Sequence, residues 1–438
     1  MGNRQQATGN RQEVESKKKL GIATIFRRDR WLFPLLMGLT SRTLIVIAMV
    51  FIAPLLSVPE GARSVPQGWG VFFAWDSAAY HAIAVEGYHY VNDGQGYNVA
   101  FFPLLPLLTK LVMSLGLPFD VAATLVNSFA FLGALFILYN WLESCQGKSV
   151  ARWSTVVLAW CPFSLFGTVI YTEGLFLLCS TAALTAFHRQ RHFLAAFWGI
   201  LATATRITGL AIVPTFLLAS WRKRLPFRAY LASFLSSGGL ILYSLYCWLQ
   251  FNEPLAFLKV QKAWQPEQDF FGQGWLIMFG QILFGHANMK AGILIDPWHP
   301  LMIITIGILG FLLGEFRDRL PSVGVDIGFS LLFLALWLIA GDPFLNTVMV
   351  LGGIYVLWHT RKKIPAIALI YAFFSFCIIF SSGRTTSAER YVYGIISTSI
   401  ALGIVFQKYP RWGYIVTVFF ALLLFLFGLR FAQQQWVA

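Results

Sequence analysis

Long apolar runs constrain the fold of this 438-residue chain more than any other feature of its sequence. Runs of about 17–25 residues, the length of a transmembrane helix, recur along it, and they do not alternate apolar with polar residues as barrel strands do. Charged residues make up only 12% of the sequence, against about 25% in ordinary soluble domains. These features exclude a water-soluble globule and predict an all-α polytopic membrane protein.

Basic residues predict how the chain is oriented. The formal net charge is +14, but the lysines and arginines stand in short clusters between the apolar runs, which is the pattern of cytoplasmic loops and not of a nucleic-acid surface. We predict a basic cytoplasmic tail over 1–30 and a single transmembrane domain over 31–438, with external loops at 57–118 and 252–297. About 13 spans are expected, near residues 31–56, 119–141, 152–170, 174–187, 193–205, 209–221, 228–251, 298–314, 323–340, 343–358, 364–381, 391–407 and 412–430.

Two segments depart from a simple span. The stretch 101–116 is rich in proline and interrupted by Lys110, and counting it as a span would invert most of the basic loops. We therefore expect it to form an interfacial helix on the outer surface. The stretch 193–221 is too long for one helix and carries Arg206 in its middle. Two short helices that meet at 204–209 would place this arginine at the external face.

The predicted external face collects residues suited to acid–base and anion chemistry. Asp76 follows the first apolar run, where it either caps a helix that starts at Ser77 or acts as a base. Arginines on this side run against the positive-inside rule, which indicates an anionic partner, and a guanidinium binds phosphate through two parallel hydrogen bonds. We predict that Asp76 takes a proton from an acceptor hydroxyl while arginines hold the leaving phosphate. The candidate phosphate-binding residues are Arg206, Arg384 and Arg390.

Further external residues are candidates for contact with the substrates. Glu86 has the alternative of a surface charge, Glu173 that of a carboxylate favoured at a helix N-terminus, and Lys262 that of an interfacial anchor. The seven histidines show no ligand spacing and the five cysteines no paired framework, so we expect no metal, cofactor or disulfide. The substrate-binding candidates are Trp75, Tyr80, Glu86, Tyr171, Glu173, Gln261, Lys262, Trp264 and Tyr391.

A series of short motifs runs through the first half of the chain. Together they resemble the PIG-V type mannosyltransferases, a family of membrane glycosyltransferases with the GT-C architecture. The second half resembles the family only through 261–264 and 390–391. Ala79, Thr172 and Ile207-Thr208 depart from its usual residues, which bears on the identity of the sugar and the acceptor. The matching motifs are Ser41-Arg42, Trp75-Asp76 with Tyr80, Ile83-Ala84, Glu86-Gly87-Tyr88, 100–106, Cys161-Pro162-Phe163-Ser164, 171–176 and 199–206.

The resemblance implies transfer of a sugar, typically mannose, from a polyprenyl-phosphate donor to an acceptor hydroxyl on a glycolipid or glycan, with inversion at the anomeric carbon. It implies that the catalytic aspartate lies in the first external loop, which matches Asp76, and that interfacial helices lie beside it. The expected setting is the plasma (inner) membrane of a bacterium, with the active site on the external or periplasmic face and membrane lipids around it. A flippase or transporter for a lipid-linked sugar is the main alternative, and an acyl or phosphoryl transferase is a further one.

Overall fold

The computed structural model describes residues 29–57, 65–264, 272–383 and 385–437. Within these ranges the chain consists of helices and short connections, and it contains no strand. The all-α class predicted from the apolar runs is therefore confirmed. The predicted cytoplasmic tail over 1–30 lies almost wholly outside the described residues.

The described part of the first half forms ten helices, the first of which includes a π-helical turn at Ile47–Ile52. Several of the connections between them are single 3₁₀ turns. The bounds are Asp29–Leu55 (α1), Ser77–Val85 (α2), Leu104–Met113 (α3), Phe119–Gln146 (α4), Lys148–Trp160 (α5), Glu173–His188 (α6), His192–Thr205 (α7), Ile212–Lys223 (α8), Phe227–Leu235 (α9) and Gly238–Phe251 (α10).

Within the described residues of the second half there are eleven more helices. The single span predicted over 391–407 is in fact two helices, because the chain breaks at Gly394-Ile395. The bounds are Ala256–Lys259 (α11), Gln273–Phe284 (α12), His286–Ala291 (α13), Trp298–Glu315 (α14), Ser322–Ala340 (α15), Asp342–Thr347 (α16), Gly353–Thr360 (α17), Ala366–Ser381 (α18), Ala388–Tyr393 (α19), Ile396–Lys408 (α20) and Pro410–Ala432 (α21).

Six of the described helices are long and apolar enough to cross a membrane. They are α1, α4, the stretch Phe227–Phe251 made by α9 and α10, α14, α15 and α21. Six shorter apolar helices of 10–17 residues accompany them. The structure thus has the helices of a multi-pass membrane protein, and the count of about 13 spans stays a prediction. The shorter apolar helices are α3, α6, α7, α12, α18 and α20.

The third predicted span is broken in the interior of the fold. The sequence predicts one span over 152–170, but α5 ends at Trp160 because Pro162 disfavours a helical conformation in the residue before it. The buried segment that follows is irregular, and Asn127 of α4 binds it by donating hydrogen bonds of 2.8 Å to the carbonyls of Phe166 and Val169. This pairing satisfies backbone groups that a continuous helix would have satisfied itself.

Arg42 ties α1 to the same irregular segment. Its guanidinium is buried and donates to the carbonyl and the hydroxyl of Ser164, at 2.7 and 2.8 Å, and it lies over the ring of Phe131. An ionisable group inside an apolar helix requires such partners. Arg42 thereby fixes the segment that leads from Ser164 to Tyr171 and Glu173.

The two unusual segments of the sequence form short helices, and the interfacial position of α3 and the external position of Arg206 stay predictions. Helix α3 has ten residues, so at about 1.5 Å per residue it is too short to cross an apolar layer of about 30 Å. The stretch 193–221 forms α7 and α8 with a 3₁₀ turn between them, and Arg206 stands at the junction in an extended conformation. Gly209 permits the reversal, since a Cβ atom there would lie 2.6 Å from the carbonyl oxygen of Ala202.

Candidate active site

A cavity of about 470 Å³ lies where the segment between α1 and α4, the α7–α8 junction and α19 meet. Its wall combines acidic, basic, aromatic and hydroxyl side chains. Residues far apart in sequence are thereby brought to one place. The predicted site residues that line the cavity are Asp76, Tyr80, Tyr171, Glu173, Arg206, Gln261, Arg390 and Tyr391.

Asp76 occupies the N-cap position of α2 but does not cap the helix, because its carboxylate makes no hydrogen bond to the first turn. Instead, its Oδ2 atom lies 3.6 Å from Nη1 of Arg390. The loop is fixed by Ser77, whose hydroxyl donates to the carbonyl of Ile170 and accepts from the amide of Ala74, both at 3.2 Å. The capping alternative for Asp76 is therefore not what the structure shows.

Glu173 lies wholly buried between two arginines. Its Oε1 atom accepts a hydrogen bond of 2.6 Å from Nη1 of Arg206 and lies 3.4 Å from Nε of Arg390. Together with Asp76, these residues bring two positive and two negative charges to one wall of the cavity. The balance explains how two nearly buried arginines persist in an apolar fold, since an unpaired buried charge is costly.

Aromatic rings hold Arg390 in place. The centre of its guanidinium lies 5.1 Å from the ring centroid of Phe166 and 5.0 Å from that of Tyr171. The Nε and Nη1 atoms of Arg390 have no hydrogen-bond partner among the described residues, although both lie within salt-bridge distance of a carboxylate. The arginine is thus oriented by rings and charges and retains donor capacity toward the cavity.

Tyr80 adds a neutral donor to the wall. Burial in the first instance, and the Asp76 carboxylate in the second, raise the pKa of the Tyr80 phenol above its ordinary value. The phenol therefore stays protonated at neutral pH. The ring of Tyr391 lies 5.0 Å from the guanidinium centre of Arg206 and 5.6 Å from that of Arg390.

The structure does not bring every predicted site residue to the cavity wall. Glu86 is exposed at the C-cap of α2, and Lys262 is exposed after α11; neither lines the cavity. Trp75 precedes Asp76 but is not among the lining residues either. Arg384 lies outside the described residues, and so does the side chain of Trp264.

Several lining residues were not predicted from the sequence. Thr205 lies within the motif 199–206 and Thr208 two positions after it, so this motif could have indicated both, whereas Ser387 lies three positions before Arg390. Trp436 has no such signal, because it lies 360 positions from Asp76 (76 against 436) and reaches the cavity only through the fold. Among the described residues, no group of three or more histidine, cysteine, aspartate or glutamate side chains could hold a metal ion.

No protein-family model matches the sequence, and neither does any curated protein. The solved structures that resemble the chain include the Archaeoglobus fulgidus oligosaccharyltransferase in a complex with Zn and sulfate, with 14% identity and a TM-score of 0.44 over 92% of this chain and 53% of that one. The same archaeal protein, AglB, in complex with an inhibitory peptide and a dolichol-phosphate has 14% identity and a TM-score of 0.41, over 93% and 55%. ArnT from Cupriavidus metallidurans, bound to undecaprenyl phosphate, has 13% identity and a TM-score of 0.38, over 86% and 77%.

The chain therefore spans about half the length of the archaeal oligosaccharyltransferase. At these identities and TM-scores the likeness carries no conclusion about reaction or substrates. The class of protein that the fold and the cavity define is a helical protein with several apolar helices of membrane-spanning length, in which two acids and two arginines line one cavity.

Proposed function

We propose that the chain is an integral membrane glycosyltransferase of the GT-C architecture, which transfers mannose from a polyprenyl-phosphate donor to an acceptor hydroxyl on a glycolipid or glycan. The observation that carries the proposal is the position of Asp76. Its Oδ2 atom lies 3.6 Å from Nη1 of Arg390, and it lines a cavity whose wall also presents Arg206 and Arg390. A base next to two cations is what transfer from a phosphate leaving group requires.

In the proposed reaction the acceptor oxygen attacks the anomeric carbon from the side opposite the phosphate. A new carbon–oxygen bond forms, the bond between the anomeric carbon and the phosphate oxygen breaks, and the configuration inverts. The acceptor proton passes to Asp76, whose Oδ2 atom lies 3.6 Å from Nη1 of Arg390. The polyprenyl phosphate leaves as a monoester, a change from a diester that adds negative charge where the arginines lie.

In this scheme the arginines take the place of a general acid and of a metal ion. A guanidinium stays charged at any working pH and can hold two phosphate oxygens at once, so it stabilises the leaving group without a general acid. We propose Arg390 and Arg206 for this role and assign no metal or cofactor to the site. Arg384, which precedes Arg390 by six positions, remains a candidate from the sequence alone. The site would face the external or periplasmic side of the plasma membrane.

The proposal is tested by incubating the purified chain in lipid nanodiscs with radiolabelled polyprenyl-phosphate-mannose and a membrane lipid extract. We expect label to appear on a new lipid or glycan. The Asp76→Asn variant should lose at least about 100-fold of this activity, the typical contribution of a general base, while its folding is preserved.

The matched control is Glu86→Gln, which removes a carboxylate that lies at the other end of α2 and does not line the cavity. It should keep the activity of the unmodified chain. Substantial transfer by Asp76→Asn would remove Asp76 from the role of base. If label only moved between the leaflets of a vesicle and never reached a new acceptor, the chain would be a flippase for the lipid-linked sugar.

A further inference from the structure

Two tryptophans from opposite ends of the chain meet beside the proposed base. The ring centroids of Trp75 and Trp436 lie 5.2 Å apart, with the rings nearly perpendicular at 82°. Each residue keeps more than two fifths of its surface exposed, 45% and 41% respectively. Trp436 lines the cavity that Asp76 lines, and Trp75, which is not a lining residue, packs against it.

The segment that carries Trp436 is fixed to the loop that carries Asp76. Gln434 donates a hydrogen bond of 3.1 Å from Nε2 to the carbonyl of Phe73, and Arg430 donates one of 2.9 Å to the carbonyl of Trp436. Both connections are to backbone atoms, so they set the path of the segment. The backbone that carries the indole of Trp436 is therefore fixed at Trp436 itself and at Gln434, two residues before it.

The backbone at Trp75 supports a role beyond packing. Its φ of +55° lies in the left-handed region, which a bulky non-glycine residue adopts only at a cost. The conformation allows Asp76 to face Arg390 while the neighbouring indole faces Trp436. Strain of this kind persists where the surrounding structure over-determines it, and it clusters at binding sites.

The chemistry of the pair indicates what it binds. An indole ring offers a flat apolar face and one donor, which suits a ligand that is apolar on one face and polar at its rim. A pyranose ring has this character, because its C–H groups can form an apolar face while its hydroxyls point outward. Anchoring at a bilayer interface is the other common use of exposed tryptophan, but an anchor faces lipid, and Trp436 lines the cavity that Asp76 and both arginines line.

On the basis of the proposed function, we propose that Trp436, with Trp75 packed against it, forms the acceptor subsite, where a pyranose ring of the acceptor stacks and presents a hydroxyl to Asp76. The substrate class that follows is an acceptor whose terminal group is a sugar. The donor phosphate would lie toward Arg206 and Arg390, since Asp76 contacts Arg390 on that side and is joined to Trp75 on the other.

The test is steady-state mannose transfer with octyl α-mannopyranoside as the acceptor probe and saturating polyprenyl-phosphate-mannose. Trp436→Ala should raise the KM for octyl mannoside by about tenfold or more and leave kcat within about twofold, because the ring binds the acceptor but takes no part in bond formation. Trp436→Phe, which keeps a flat ring, should stay within about threefold of the unmodified KM. The KM for the donor should not change in either variant.

Trp69→Ala is the matched control, since Trp69 is another exposed tryptophan of the same loop, at 44%, and does not line the cavity. It should leave the acceptor KM unchanged. A fall in kcat with an unchanged KM in Trp436→Ala would overturn the subsite and make Trp436 a residue that positions Asp76. Equal losses in the Phe and Ala variants would also overturn it. Absence of transfer by the unmodified chain to any acceptor would instead defeat the proposed function, and the subsite with it.

Discussion

Replacing Glu173 with glutamine tests whether this carboxylate is the counter-ion that keeps two arginines buried. The substitution preserves shape and removes one negative charge. Its side chain is wholly buried, and the side chains of Arg206 and Arg390 are only 13% and 7% exposed, so water cannot replace the lost charge. In the variant, two cations would face each other with Asp76 as their remaining counter-ion on the cavity wall.

The expected magnitude follows from the distances. At an effective dielectric constant of about 20, charges 2.6 and 3.4 Å apart attract by roughly 6 and 5 kcal/mol. Desolvation offsets much of this attraction, and removal of one partner from a buried ion pair typically costs about 3–5 kcal/mol. We therefore expect Glu173→Gln to lower the free energy of unfolding by about 3–5 kcal/mol.

Thermal and denaturant-induced unfolding in mixed detergent micelles provide the assay, with Glu86→Gln as the control for loss of an exposed carboxylate. Polyprenyl phosphate adds a second readout. A ligand stabilises the folded state that it binds. Polyprenyl phosphate should stabilise Glu173→Gln more than the unmodified chain, because its negative charge would replace the one that the substitution removes beside the arginines. A loss of less than about 1 kcal/mol would refute the counter-ion role, given the cost of breaking a buried pair. Equal stabilisation of both proteins by the phosphate would refute the arginines as its site.

Two further predictions concern packing and pH. Gly239→Ala should destabilise the fold by about 1–3 kcal/mol in thermal denaturation, because the added Cβ atom would lie 2.1 Å from the carbonyl oxygen of Ile200. Gly307→Ala is the control and should be close to neutral, because no atom lies within 4 Å of the Cβ atom added there. Burial raises the pKa of Glu389 to about 7, above its ordinary value of 4.5. Between these two pH values the folded chain keeps a proton that the unfolded chain has lost. The free energy of unfolding should therefore fall as the pH rises from 4.5 to 7. Glu389→Gln should remove this dependence, and parallel stability curves for the two proteins would contradict the assignment.

The helical class could be predicted from the sequence because the signal is local. A helix such as α14 or α15 is apolar on all sides, so its length and composition alone identify it. The helix bounds were less predictable. The Phe227–Phe251 stretch is interrupted at Ser236-Ser237, and neither residue is a strong breaker, whereas Pro162 marks the end of α5 in the sequence itself.

The candidate site was predictable to the extent that a charge in an apolar chain is unusual. Asp76, Arg206 and Arg390 stand out for this reason, and all three line the cavity. The role of Glu173 between the arginines depends on a pairing across the fold, which one sequence does not display. Trp436 was not predictable at all, since its place depends on a hydrogen bond between residues 361 positions apart.

The distribution of hydrogen bonds in the resting site bears on how it would accelerate the proposed reaction. Arg206 already donates to Glu173 at 2.6 Å, so part of its capacity is used before any substrate arrives. Arg390 is held by rings and by charges at 3.4 and 3.6 Å, and its Nε and Nη1 atoms make no hydrogen bond within the described structure. Donors that are fixed in place yet unsatisfied bind most strongly to the state with the most negative charge. Since the departing phosphate gains charge as the sugar leaves, Arg390 would stabilise the transition state more than the bound donor, which is the condition for catalysis and not merely for binding.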